Sequence, residues 1–259
     1  DLLGPGPGGP GWPGAEGPAL AAVERYGGEG SCLPRFLRAR KGDAGAAERM
    51  FRGTLEFRTR TGANHILDNL RARKVWASVR PLWTAAPVMF TAKGNLVVYF
   101  KLADFLRIWQ QGIPEEDLCT FYISWMERIL ALQSRGRARA GRGPDSEMPA
   151  SIEVYDLSGA GLSHLRCLPG MRMMMRILRI GQDHYPEMLH TAMMINVPAI
   201  ANTPMRMVHS VLDVGTQAKF RFCRDNGDSL LAEILQVNRE ELVKRYTLAL
   251  SDELLQDLT

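Results

Sequence analysis

DHYPEMLHTAMMINVPAIANTPMRMVHSVLD, residues 183–213, joins a carboxylate beside a proline, a continuous apolar run and a well-marked helix. Thr203 is placed as an N-cap and Pro204 at the first helical position, supplying a capping oxygen where a proline wastes no N–H donor. At about 100° per residue, Pro204, Met205, Met207, Val208, Val211 and Leu212 fall in one arc and Arg206, His209, Ser210 and Asp213 in the other. A two-faced helix behind a buried strand suggests a door, not a catalytic site.

Working outward, the flanking segments alternate. Strand signals are WTAAPVMF and NLVVYF with a glycine turn at 93–95, SIEVYDL at 151–157, TAMMINV at 191–197 and KFRFC at 219–223. Between them, Pro114 opens a helix with Glu115, Glu116 and Asp117 in its first turn, expected to run to about Gln133, and Pro169 opens a Met-rich helix to about Ile180. Strand–helix alternation predicts an α/β layer with a largely parallel sheet covered by helices. Residues 1–18 hold seven Gly and five Pro and are expected to be a disordered linker. Residues 19–75 read as a small helical region with Asp43 as an N-cap, 76–238 as the α/β domain, and 239–259 as extra helix serving a neighbouring domain or partner.

A net charge of +4 on 259 residues decides little unless concentrated. Arg135, Arg137, Arg139 and Arg142 form one concentration, expected to be a solvated loop able to touch phosphate-bearing surfaces. The four cysteines lack a CxxC pair, so neither a zinc site nor a compact disulfide framework is suggested, and a reducing, cytoplasmic setting is expected. No run of roughly 18 apolar residues occurs and no basic-then-apolar leader precedes the domain. The chain opens on Asp1, which fits a piece of a longer protein.

Enzyme signatures are absent: no GxSxG elbow, phosphate loop, HExxH or strand-linked GxGxxG is present. Asp156, Ser163 and His164 would make a hydrolytic set only if a base stood beside an exposed nucleophile, and nothing in the sequence places one there. Nine of the thirteen methionines lie between Met171 and Met207, and flexible thioethers suit either core packing or an apolar cavity for long, variable chains.

Two blocks decide between those readings. CLPRFLRARKGD at 32–43, followed by AAERMFRGTLEFR, resembles the N-terminal motif of the CRAL-TRIO lipid-binding family, and DHYPEMLHTAMMINVPAIANTPMRMVHSVLD resembles its YPE, apolar strand, IN-x-P and gate-helix run. Between them, VVYFKLA and VYDLSGAGLSHL are similar to two further family segments. The resemblance, over residues 31–237 and closest to the phosphatidylinositol/phosphatidylcholine transfer branch, implies one apolar pocket floored by the sheet. A gate helix carrying Pro204, Met207, Val208, Val211 and Leu212 would close it.

It further implies a phosphoinositide head-group set of Lys41, Glu187, Thr216 and Lys219, and a second ligand mode using Tyr99 and Ser151. Two departures stand out: Met188 replaces the arginine that usually follows YPE, and Glu153 stands where the branch has threonine. The implied protein is a non-enzymatic carrier with no cofactor or metal, taking one lipid in exchange at a transient membrane surface and binding no nucleic acid. Two alternatives accompany it: a carrier of a non-phosphorylated hydrophobe such as a tocopherol, retinoid or sterol, and a non-transferring regulatory module of a larger protein.

Overall fold

The computed structural model describes residues 16–105, 108, 111–161, 168–198, 212 and 214–251. Four helices come first: α1 (Glu16–Arg25), α2 (Glu29–Ala39), α3 (Ala44–Thr61) and α4 (Leu70–Val79). Helix α1 therefore opens inside the stretch expected to be a linker. Asp43 caps α3, accepting from Ala46 N at 2.9 Å as the sequence suggests, and Gly62 ends the helix in the left-handed region. The hairpin β1 (Ala85–Phe90) and β2 (Leu96–Lys101) follows, then α5 (Glu115–Arg139), β3 (Ser151–Asp156), α6 (Leu168–His184) and β4 (Leu189–Ile195). The chain continues through α7 (Val214–Gln217), β5 (Phe220–Phe222), α8 (Asp228–Leu235) and α9 (Arg239–Ser251).

The five strands lie in the order β1-β2-β3-β4-β5, with β1 antiparallel to β2 and every later pair parallel. Alternation divides the sheet into two faces. Val97, Tyr99, Ile152, Val154, Met193 and Ile195 pack with Leu231, Leu235, Leu242 and Tyr246 of α8 and α9. Leu96 and Val98 face the larger core built with α2, α3, α5 and α6. Helix α9 is thus a wall of this domain, laying Tyr246 against Tyr99 with ring centroids 4.9 Å apart.

The arginine-rich segment corrects the sequence reading. Arg135, Arg137 and Arg139 are not in a loop, because α5 continues through Gly136 to Arg139. Arg137 Nη1 donates to Gly27 O at 2.7 Å and Ser146 O at 3.0 Å, and the Arg139 guanidinium sits over the Phe90 ring at 4.9 Å. Gly136 is there for close approach: a Cβ on it would stand 2.2 Å from Gly94 O, in the hairpin turn where Gly94 has φ +83°. A Gly136→Ala change in an exposed helix would stabilise by about 1 kcal/mol through propensity alone. Here the backbone clash should reverse the sign and cost about 1–2 kcal/mol, read as a lowered thermal midpoint. An unchanged or raised midpoint would show that the hairpin yields freely.

Candidate functional site

Among the implied head-group residues, the chain brings three together, Glu187, Thr216 and Lys219. Glu187 lies in the turn entering β4, and Lys219 follows α7 at the start of β5. Their side chains meet at 2.9 Å (Lys219 Nζ to Glu187 Oε2), with 22% and 27% of each exposed. Thr216 is held one turn earlier: the Lys219 N–H donates to Thr216 O at 3.0 Å, and Thr216 Oγ1 accepts from Gln182 Nε2 at 3.4 Å. Lys41 is exposed in the turn between α2 and α3.

Backbone conformation marks the same residues. The described non-glycine residues with positive φ are Lys41 (54°), Glu187 (55°), Asn196 (54°) and Gln236 (59°). For a side chain with a Cβ this region carries a cost, and such positions concentrate where geometry serves a site. Two of these four belong to the implied head-group set, and Asn196 stands where β4 ends and the chain departs toward residues 199–211.

The turn after Pro186 is buttressed from behind. Arg35 is buried, and its Nη1 donates to Met188 Sδ at 3.1 Å and its Nη2 to Gln133 Oε1 at 3.1 Å. Gln133 Nε2 donates in turn to Ser151 Oγ at 2.9 Å and Met188 O at 3.0 Å. Arg35 therefore supports the Glu187–Met188 turn from α2. Burial is the main influence on its guanidinium, pulling its pKa down to about 10.

Tyr99 and Ser151 do not share a face. Tyr99 pairs in register with Val154, so its ring points toward α9, where its hydroxyl donates to Asp156 Oδ2. Ser151 belongs to the opposite face and is engaged by Gln133. Glu153 and Tyr155 share the Ser151 face, and the Tyr155 hydroxyl donates to Glu153 Oε2. Burial pushes the Glu153 carboxyl up and the Tyr155 phenol well up. The sequence signalled Glu153 as a departure, but it did not signal its partnership with Tyr155.

The gate helix expected over 203–213 lies outside the described residues apart from Leu212, which is buried. Ser163 and His164 lie outside them too, and Asp156 is committed to structural partners. Among the described residues, no three or more His, Cys, Asp or Glu gather where a metal ion could be held, and no helix is long and apolar enough to cross a membrane.

A sequence model of the CRAL/TRIO domain matches residues 88–247, more than half of the chain. The chain belongs to the CRAL/TRIO domain family. This CRAL/TRIO domain is 26% identical over 215 residues to the SEC14 cytosolic factor of Yarrowia lipolytica, covering 80% of the chain but only 41% of that relative. It is 26% identical over 226 residues to the SEC14 cytosolic factor of Eremothecium gossypii, covering 83% of the chain and 68% of the relative. The phosphatidylinositol transfer protein sfh5 of Emericella nidulans is 24% identical over 220 residues, with 83% of the chain and 52% of that protein covered. Among solved structures, the crystal structure of Sfh5 superimposes with a TM-score of 0.59 at 13% identity, over 86% of the chain and 75% of the other. That likeness carries the fold: a CRAL/TRIO sheet flanked by helices.

Proposed function

We propose that this CRAL/TRIO domain binds one phospholipid, of the phosphatidylinositol type, and exchanges or presents it at the cytoplasmic surface of membranes without making or breaking covalent bonds. The observation that carries this reading is the half-buried Glu187–Lys219 pair at 2.9 Å, with Thr216 one turn away. A phosphate would draw the Lys219 ammonium from Glu187, and the freed carboxylate would accept from sugar hydroxyls. Exchanging one charge partner for another limits the desolvation cost of each step. The sulfur-rich α6 and β4 suit acyl chains, whose burial is worth about 0.8 kcal/mol per CH₂. Lys41, exposed on the α2–α3 turn, is the second cation of the proposed set.

The test is uptake of labelled phosphatidylinositol from liposomes by the purified chain. Lys219→Ala should weaken that uptake at least about tenfold, the scale of one charge-assisted hydrogen bond. Full retention by Lys219→Ala, or no uptake by the unaltered chain, would overturn the phosphoinositide reading. A second reading, carriage of an uncharged hydrophobe, is favoured by a different observation, the Glu153–Tyr155 pair.

A further inference from the structure

Two stretches of the chain carry cations and no acids. No Asp or Glu lies between Glu127 and Asp145, which bound the arginine-rich end of α5, nor between Asp68 and Asp104, which bound the β1–β2 hairpin. Folding presses the two together at Gly94 and Gly136. A Cβ on Gly94 would stand 3.0 Å from Ala140 Cβ, and one on Gly136 would stand 3.0 Å from the Phe90 ring. The helix end itself is wound tightly: Gly141 N–H donates to Ala138 O at 3.0 Å and Arg142 N–H to Arg137 O at 3.1 Å. Lys93 in the hairpin turn, with Arg139 and Arg142 at the end of α5, therefore shares one small surface, and all three are exposed.

Among the described residues, no acid pairs with Lys93, Arg139 or Arg142. Glu147, in the loop after the helix, is taken by Arg38 instead. A helix C-terminus favours cations, which accounts for arginines in the last turn of α5 but not for Lys93 on a separate hairpin. The exposed residues between the charges are small, Ala92, Ala138, Gly141 and Gly143, and none of the large exposed apolar side chains lies among them. The surface thus offers concentrated charge without an apolar anchor. Its place in the fold is equally defined, because Asn95 Nδ2 ties the hairpin turn to Ala150 O at 2.8 Å and Ser151 N–H donates to Met188 O at 2.8 Å. Gln133, three residues before Gly136, donates to the same Met188 O at 3.0 Å. Parallel strands β2, β3 and β4 all begin here, so the cations share this end of the sheet with the Glu187 turn.

We propose that Lys93, Arg139 and Arg142 form a docking patch for an anionic phospholipid bilayer, which holds the Glu187 end of the sheet toward the lipid phosphates. The proposal rests on reading the domain as one that meets membranes. Three long cationic side chains set among alanines and glycines suit a diffuse layer of phosphates, which attracts each Lys or Arg near its surface without needing a shaped contact. Attraction of this kind acts within about a Debye length and weakens as salt rises. Gly94 and Gly136 are the positioning residues, because their close approach is what puts a hairpin lysine beside the helix-end arginines.

The experiment measures co-sedimentation of the full chain with vesicles of phosphatidylcholine alone and of phosphatidylcholine mixed with phosphatidylserine, at low and high salt. Partition should favour the phosphatidylserine vesicles and fall as salt rises. Each cation near an anionic leaflet is worth about fivefold in partition, so Lys93→Gln/Arg142→Gln should lose about 25-fold and the triple variant with Arg139→Gln about 100-fold. Because Arg139 also lies over Phe90, the double variant is the one that spares this packing, and its thermal midpoint should match that of the unaltered chain. Equilibrium uptake of labelled phosphatidylinositol from otherwise neutral vesicles should be unchanged in the double variant. Lys219→Ala should reduce that uptake while keeping partition onto phosphatidylserine vesicles within about threefold, so the two readings fail separately. Equal partition by the double variant and the unaltered chain, or no preference of the unaltered chain for phosphatidylserine, overturns the proposal. Retention of the chain on poly-glutamate without vesicle binding also overturns it, by assigning the patch to an acidic protein. Patch-dependent partition without any phosphatidylinositol uptake supports the docking patch and overturns the carrier reading alone.

Discussion

Glu127→Ala should lower folding stability by about 3–5 kcal/mol, because it strands a buried guanidinium without its counter-charge. Glu127 and Arg58 have side chains only 0% and 1% exposed, and they meet through two parallel hydrogen bonds of 2.8 and 3.0 Å. The carboxylate also accepts from Tyr185 Oη at 2.9 Å, while Arg58 Nε donates to Asn64 Oδ1 at 2.6 Å and its guanidinium lies 5.3 Å from the Tyr26 ring centre. Burial opposes the charge on Arg58 most strongly, but Glu127, Tyr26 and Tyr185 together outweigh it and hold the group protonated. Truncating the acid leaves three donors aimed at a void, and urea unfolding should report the loss as a lower midpoint at similar slope. The double variant Arg58→Met/Glu127→Leu should recover most of that loss, since a well-packed apolar replacement often matches a buried pair. A Glu127→Ala loss under about 1 kcal/mol would mean that water or a shifted side chain reaches Arg58. The same contact clamps α3 onto α5, and α3 begins just beyond the turn that carries Lys41, the proposed second cation.

How far such contacts can be read beforehand depends on their range. Local signals held: Asp43 capped its helix, Pro114 and three acids opened α5, and alternation in SIEVYD assigned Ile152 and Val154 to one face. The end of α5 was misread because glycine and arginine in SRGRARAGRGP signal a loop locally. Gly136 instead serves a backbone approach to Gly94, which lies 42 positions away in the chain. Long-range pairing is hidden for the same reason: no periodicity connects Arg58 to Glu127. The faces of Tyr99 and Ser151 depended on strand register, with Tyr99 opposite Val154, and register is set by pairing rather than by either strand alone. At the candidate site, Glu187, Thr216 and Lys219 were legible only through the family resemblance. Their spacing carries no chemistry until β4 and β5 lie side by side.

Asp156 gives the second large effect and a pH signature with it. Its carboxylate, 1% exposed, accepts from Tyr99 Oη, from Ser158 N at 2.8 Å, from Asn196 Nδ2 at 2.7 Å and from Arg239 Nε and Nη2 at 3.2 and 2.7 Å. Burial alone would push this carboxyl up, but the donors together hold it down to about 2. A folded pKa below the unfolded value of 3.8 means stability that is fully present above about pH 4 and lost as pH falls toward 2. The size of that component is about 2 kcal/mol. Asp156→Asn should cost about 2–4 kcal/mol at neutral pH, since an amide turns two N–H groups toward partners that already donate. The variant should also lose the pH 4 to 2 component, so its stability should fall less steeply than that of the unaltered chain in acid, as followed by circular dichroism. An unchanged acid profile would mean that other carboxylates control it. Because Arg239 opens α9 and Asn196 ends β4, this one carboxylate ties the helix behind the sheet to the point where the chain leaves toward residues 199–211. Loosening it should therefore raise the rate of phosphatidylinositol exchange relative to equilibrium uptake, whereas Lys219→Ala should lower both. Equal changes in rate and uptake for Asp156→Asn would separate the buried hub from lipid exchange.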